Sequence, residues 1–276
     1  MIAKLRRYLE GKIRTCKAQA ALQKVLSAPA PDLHDFLRAD WSRSLREPTT
    51  FYIEALRYFH QELPTEMKDH RAYFTANRRG FGEDAFHTLW WMLFEKFRPT
   101  NFLEIGVYRG QTLSLAALLQ RHFGIKGKVV GISPFLPAGD LVSTYRRDVN
   151  YLDDTLANFA HFNLPVPDLV KAFSTEEIAI AQIAGEGWDL IYIDGNHDYE
   201  VAREDWNHCS AAVKPGGLIA LDDSGLTSSY QPPLFATCGH PGPSRLANEI
   251  DRSLFREILQ VGHIRIFQKA LAETTP

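Results

Sequence analysis

Cysteine is scarce: only Cys16, Cys209 and Cys238 occur in 276 residues. An odd number with no metal-ligand spacing excludes a disulfide framework and a thiolate zinc site, and predicts reduced thiols in a cytoplasmic protein. No run approaches the ~20 apolar residues that span a bilayer; the densest, His87 to Phe94, is far too short. No apolar segment of signal-peptide type opens the chain, so secretion is not expected. Charge of one sign is missing as well, with 31 Lys+Arg against 33 Asp+Glu. No basic patch with interleaved aromatics occurs, which argues against a nucleic-acid partner. Internal repeats are absent. What remains is 45% apolar and 23% charged residues, the balance of a globular protein with a sizeable core.

Two regimes divide the chain, one to about residue 98 and one from Asn101, while the domain boundary is expected between residues 1–76 and 77–276. The first is helical in pattern, broken at Ser27-Ala28-Pro29-Ala30-Pro31, Pro48 and Pro64. Residues 1–24 carry seven Lys/Arg and one acid, with Ile2, Leu5, Leu9, Ile13, Cys16 and Ala20 at helical spacing. This basic amphipathic helix is expected to pack its stripe on the body, an anionic membrane or acidic partner being the other reading. Thr49-Thr50 is placed to cap a helix through Phe51, Leu56 and Phe59. Asn77 to Gly82 reads as a turn and Glu83 to Phe97 as a buried helix.

From Asn101 short apolar runs alternate with helical stretches. Strands are predicted at Phe102–Ile105, Val129–Ile132, Asp168–Ala172, Leu190–Ile193 and Leu218–Leu221. Helices are predicted at Gln111–His122, Thr175–Ala184, Tyr199–Val213 and Ser244–Phe255, with a terminal hairpin around Val261-Gly262-His263. Alternation of this kind builds βαβ units and a parallel sheet covered on both faces. The long polar stretch Ser224–Pro243 has the length of a lid. In such sheets ligands bind beyond the carboxyl ends of the strands, where the strand order reverses.

Three of those ends carry chemistry. The first is Glu104-Ile105-Gly106-Val107-Tyr108-Arg109-Gly110, where two glycines let backbone N–H groups face a ligand. A dinucleotide fingerprint would read G-x-G-x-x-G; here a carboxylate precedes the loop, which repels pyrophosphate and suits a cationic ligand. A simple helix-packing turn is the plainer reading of that segment. The fourth strand ends in Asp194-Gly195-Asn196-His197 and the fifth in Asp222-Asp223. If the two strands are neighbours, Asp194, Asp222 and Asp223 converge, and clustered carboxylates call for Mg²⁺ or a similar ion. Helix capping or exposure is the alternative for each acid. His197, three residues past Asp194, is placed to serve as a general base.

Taken together, E-x-G-x-x-x-G, I-D-G-x-H-x-Y and P-G-G-x-x-x-x-D-D resemble class I S-adenosylmethionine-dependent methyltransferases. The closer likeness is to the branch with antibiotic-sugar O-methyltransferases and cephalosporin-hydroxylase-like proteins. It covers roughly residues 77–268. The resemblance implies a Rossmann-like α/β fold, a seven-stranded mostly parallel sheet whose last strand is antiparallel, here with a helical N-terminal extension. It implies that Glu104, Gly106, Val107, Tyr108, Arg109 and Gly110 form the cofactor loop, with Tyr108 and Arg109 toward the methionine end. Ser174 matches the adenine position, Asp194, Asp222 and Asp223 the metal carboxylates, and His197 the base, with Asp194 shared between metal, cofactor and catalysis. Ser133 stands where the family places a ribose-binding acid, so ribose binding loses one bidentate acceptor.

The expected activity is methyl transfer from S-adenosylmethionine to a hydroxyl of a sugar or polyhydroxylated small molecule, assisted by Mg²⁺. A homo-oligomer is expected by family analogy. The rivals are a nucleoside-binding protein that kept the fold without catalysis, and a metal-dependent hydroxylase-like enzyme. Against the latter stands the lack of a two-His-one-carboxylate spacing. His240 and Cys238 are read as structural.

Overall fold

Each short apolar run predicted to be a strand is one in the computed structural model, which describes residues 2–28, 35–38 and 40–271, apart from the side chains of 2–11 and 14. The strands are β1 (Asn101–Ile105), β2 (Lys128–Ser133), β3 (Asp168–Lys171), β4 (Trp188–Ile193), β5 (Val213–Leu221), β6 (Phe255–Val261) and β7 (Ile264–Lys269). They form one sheet in the order β3-β2-β1-β4-β5-β7-β6. The first five run parallel, and β7 is antiparallel to both neighbours. This is the Rossmann-like α/β architecture, with its reversal of strand order between β1 and β4.

Strand alternation sorts side chains into two cores. Phe102, Leu190, Tyr192, Leu218 and Ala220 face one side. Leu103, Ile105, Ile191, Ile193, Ile219 and Leu221 face the other. Glu104 and Asp222 share the parity of the first set, so the strands deliver their acids to the face covered by the N-terminal helices.

The first half of the helical layer comprises α1 (Ile2–Ser27), α2 (Arg43–Arg46), α3 (Pro48–Gln61), α4 (Thr65–Thr75) and α5 (Asp84–Phe97). The second comprises α6 (Gln111–His122), α7 (Tyr151–His161), α8 (Glu177–Ala184), α9 (Tyr199–Ala212) and α10 (Pro241–Glu249). None of them is long and apolar enough to cross a membrane. Helix α5 is buried nearly all round and lies against the sheet, Trp90 meeting Phe102 and Tyr192 edge-on. One core cluster runs from Phe36 through α3 and α5 to Ile266 of β7, crossing residue 76 without a break.

Three local expectations need correction, and one helix was not expected. Helix α3 starts at Pro48, so Thr49 and Thr50 lie inside its first turn; proline at that position has no N–H to leave unpaired. The predicted Ser244–Phe255 helix runs instead from Pro241 to Glu249, because Phe255 pairs with Lys269 as the start of β6. Helix α7 was not foreseen. On α1, Ile13, Cys16 and Ala20 are exposed, and the contact with the body is made by Leu22, Val25 and Leu26. The side chains of Ile2, Leu5 and Leu9, and the break at Pro29–Pro31, lie outside what the structure describes.

Candidate active site

A cavity of about 540 Å³ opens at the carboxyl ends of β1, β2, β4 and β5. Every residue assigned from the sequence lines it: Glu104, Gly106, Val107, Tyr108, Arg109, Ser133, Ser174, Asp194, His197, Asp222 and Asp223, Gly110 alone excepted.

The turn after β1 is tightly packed. Gly106 has φ +98°, and a Cβ there would lie 1.9 Å from the Asp194 carbonyl oxygen, so only glycine lets β1 and β4 end this close together. Gly110 has φ +78° and precedes α6. Glu104 is buried, its Oε2 has no hydrogen-bond partner, and burial pushes its carboxyl up to about 8. Tyr108 packs between Phe81 and Tyr151 in two tilted ring contacts. Arg109 is committed elsewhere: its guanidinium binds Asp154 of α7 at 2.5 and 3.0 Å and the Arg78 carbonyl at 3.2 Å. Ser133 closes β2 at the cavity wall, and the first acid on the following loop, Asp140, turns toward His197 instead.

His197 sits between two carboxylates. Asp140 Oδ2 lies 2.9 Å from the His197 backbone N and 2.6 Å from Nδ1, while Nε2 lies 2.7 Å from Asp223 Oδ2. Burial alone would lower the imidazole's proton affinity; the Asp223 and then Asp140 contacts outweigh it and push the group up to about 9. Asp194 is held well above the carboxylate range by burial first and by the adjoining Asp222 charge and hydrogen bond second. Asp222 is buried too, yet the His263 charge and hydrogen bond bring it down to about 2. So Asp194 bonds to Asp222 and stands outside the two groups of three converging donors among the described residues, Asp222–Asp223–His263 and His197–Asp223–His240.

Sequence reasoning missed Asp140, His263 and the active placement of His240, whose ring stands 4.2 Å from that of His197. The second of the two groups is a two-His-one-carboxylate set that no local spacing announced. The stretch expected to be a lid contacts the N-terminal helices: Thr49 Oγ1 accepts from Gln231 N at 2.9 Å and donates to its carbonyl at 3.1 Å, and Tyr230 is buried against Tyr52. From that stretch Thr237 and His240 reach the cavity; the loop after β2, from Pro134 to Tyr145, supplies the larger wall.

Residues 103–224 match the methyltransferase-domain family model, and about four fifths of the chain shares its fold with solved methyltransferase structures. An uncharacterized protein of Acanthamoeba polyphaga mimivirus is 30% identical over 132 residues, 47% of this chain. The chain spans about half the length of that relative, 53% of it. Among solved structures, an S-adenosylhomocysteine-bound methyltransferase of Podospora anserina superposes with TM-score 0.54 at 16% identity, over 82% of this chain and 97% of that one. A putative caffeoyl-CoA O-methyltransferase of Staphylococcus aureus gives TM-score 0.53 at 13% identity, over 77% and 95%.

Proposed function

We propose that the chain transfers a methyl group from S-adenosylmethionine to a hydroxyl of a small polyhydroxylated acceptor, a sugar or a sugar-bearing natural product. One observation carries the reading: the glycine turn after β1 and the His197–Asp223 pair open into the same cavity. The residues suit that cofactor. Glu104 offers a buried acceptor without a partner. The Gly106 backbone gives room for close approach, and Ser133 and Ser174 stand at the wall for the ribose and adenine. When bound, the sulfonium supplies an electrophilic methyl group; the protein's work is to align a hydroxyl with it and take the proton.

His197 is the group for the proton. Asp140 holds Nδ1, which orients Nε2 toward the Asp223 side of the cavity, the orienting arrangement that hydrolytic triads use. A divalent cation also suits the site, because donor atoms of Asp222, Asp223 and His263 converge within 4.8 Å of one another. Asp222 and Asp223 would hold it, and the chemistry it supplies is charge: it acidifies a hydroxyl and relieves His197 of the Asp223 charge that keeps it protonated. Phe81, Tyr108 and Tyr145 give the cavity the aromatic walls on which a sugar face packs.

Calorimetric titration with S-adenosylmethionine and S-adenosylhomocysteine tests this. Micromolar binding that is lost in Gly106→Val is expected, since the new side chain has no space beside Asp194. No binding of either compound to the intact chain would overturn the reading and leave a fold that has lost its cofactor.

A further inference from the structure

The β6–β7 turn carries an imidazole into the carboxylate cluster. His263 is 7% exposed. Its Nε2 lies 3.3 Å from Asp222 Oδ1 and 3.8 Å from Asp223 Oδ1. Other charged contacts nearby are closer, 2.6 Å for His197–Asp140 and 2.7 Å for His197–Asp223. Separations of about 3 to 4 Å are those between donors that share one ion with bonds of ~2.1 Å. Asp222 Oδ1, the nearer oxygen, is buried and meets Nε2 as an ion pair, and Asp223 converges on the same point.

The imidazole is also held as a ligand is held. On its far side Nδ1 lies 3.0 Å from Thr237 Oγ1 and 3.3 Å from the Thr237 carbonyl oxygen. An N–H donated there leaves Nε2 facing the carboxylates, where a bound ion would replace its proton, and such a bond on the far nitrogen is the usual support for a metal-bound histidine. The ring is braced edge-on by Phe86 at 4.8 Å. The turn itself is pressed onto the helices: Gly262 has φ +62°, and a Cβ there would meet Phe86 at 2.9 Å and Tyr52 at 3.2 Å. Asp223, with φ +49°, leaves β5 in the left-handed conformation, unusual backbone for a residue with a side chain and common where function demands it.

We propose that Asp222, Asp223 and His263 hold a divalent ion that accepts nitrogen as well as oxygen donors, of the Mn²⁺, Fe²⁺, Co²⁺ or Zn²⁺ kind, in preference to Mg²⁺. The inference deepens the preceding reading, resting on the cation assigned there to the carboxylate pair. Mg²⁺ favours an all-oxygen octahedron with several waters, whereas imidazole suits the borderline transition ions. A third ligand from the hairpin also ties the last two strands to the ends of the parallel ones, so ion binding is coupled to the C-terminal part of the sheet. His197 stays outside the set, free for the proton.

The experiment uses the full chain stripped of metal. Calorimetry with Mn²⁺, Zn²⁺ and Mg²⁺ is expected to show Mg²⁺ at least tenfold weaker than the other two. Copper(II) serves as a paramagnetic probe, and its bound form is expected to show imidazole ¹⁴N coupling. That coupling disappears in His263→Gln and persists in His240→Gln. If His263→Gln does not melt cooperatively, Thr237→Val takes its place, with an expected tenfold loss of Zn²⁺ affinity. Equal Mg²⁺ affinity, absence of nitrogen coupling, or coupling that survives the loss of the His263 imidazole would overturn the proposal. S-adenosylhomocysteine titrations on the same samples separate the two readings: a chain that fails to bind it but retains the His263-dependent ion signal sinks the methyl-transfer reading alone.

Discussion

A histidine gripped by carboxylates at both ring nitrogens has its orientation decided before any substrate arrives. Asp140 supplies that grip from a loop remote in sequence, through two contacts on one oxygen. Removing the imidazole removes proton acceptance, so His197→Ala is expected to lower kcat by about 10² to 10⁴ with S-adenosylhomocysteine affinity little changed. Asp140→Asn keeps the shape and weakens the grip; a smaller loss, about tenfold, is expected in the same assay. Unchanged turnover in His197→Ala would require another base. A different residue sets a pH dependence of stability. Asp205 of α9 is buried, and burial, against a weaker opposing hydrogen bond from Ser174, raises it from 3.8 to about 7. A carboxyl raised in the folded state is fully compatible with folding below pH ~3.8 and costs stability as pH climbs toward 7. Asp205→Asn should therefore stabilise the chain, by about 2 kcal/mol more at pH 8 than at pH 5. Thermal melts of both proteins at the two pH values check it.

At the scale of elements, legibility followed locality. The strands could be read because burial on both faces demands continuous apolar runs, and the turn after β1 because only glycine tolerates Asp194 so near. The neighbourhood of β4 and β5 then brought Asp194, Asp222 and Asp223 together, Ile193 pairing with Leu221. Asp140 and His263 had no local signal: their meaning depends on a loop folding back and a hairpin turning inward, contacts separated by 57 and 41 residues from His197 and Asp222 respectively. The lid expectation drew on length alone. Loop length says nothing about the partners Thr49 and Gln260 that pin it. Two glycines complete that pinning: a Cβ at Gly239 would lie 2.3 Å from the Asp223 carbonyl oxygen, and one at Gly242 2.1 Å from that of His197. Gly242→Ala must push α10 away from His197, so at least a tenfold loss of turnover with a lowered Tm is expected. A fall in Tm without any change in kcat would show that this packing does not position the base.

Across the whole molecule, the expected boundary at residue 76 coincides with no seam in the core. Phe51, Tyr52, Leu56 and Met67 are each at most 2% exposed and belong to the cluster that contains Trp90, Tyr192 and Leu218. A polar thread runs across the same boundary: His70 of α4 meets His87 of α5 and Ser114 of α6 at 3.0 Å each, inside the protein. Burial drops His70 to about 3, so this bridge is made of neutral rings, and its stabilising contribution is present above pH ~6.5 and lost as pH falls from there. Four such apolar side chains contribute roughly 1.5–3 kcal/mol each, a sum of the same size as the 5–15 kcal/mol that separates a folded domain from its unfolded chain. Tyr52 borders the Gly262 turn together with Phe86, which braces His263, so the helices before residue 76 support the site as well as the core. A chain begun at Asn77 is therefore expected to aggregate or to melt without a cooperative transition, and to bind no S-adenosylhomocysteine, while the full chain melts in one step. Calorimetric scans of the two decide it: a truncated chain that is monomeric, melts cooperatively and keeps the full chain's affinity would make the first 76 residues a separable extension.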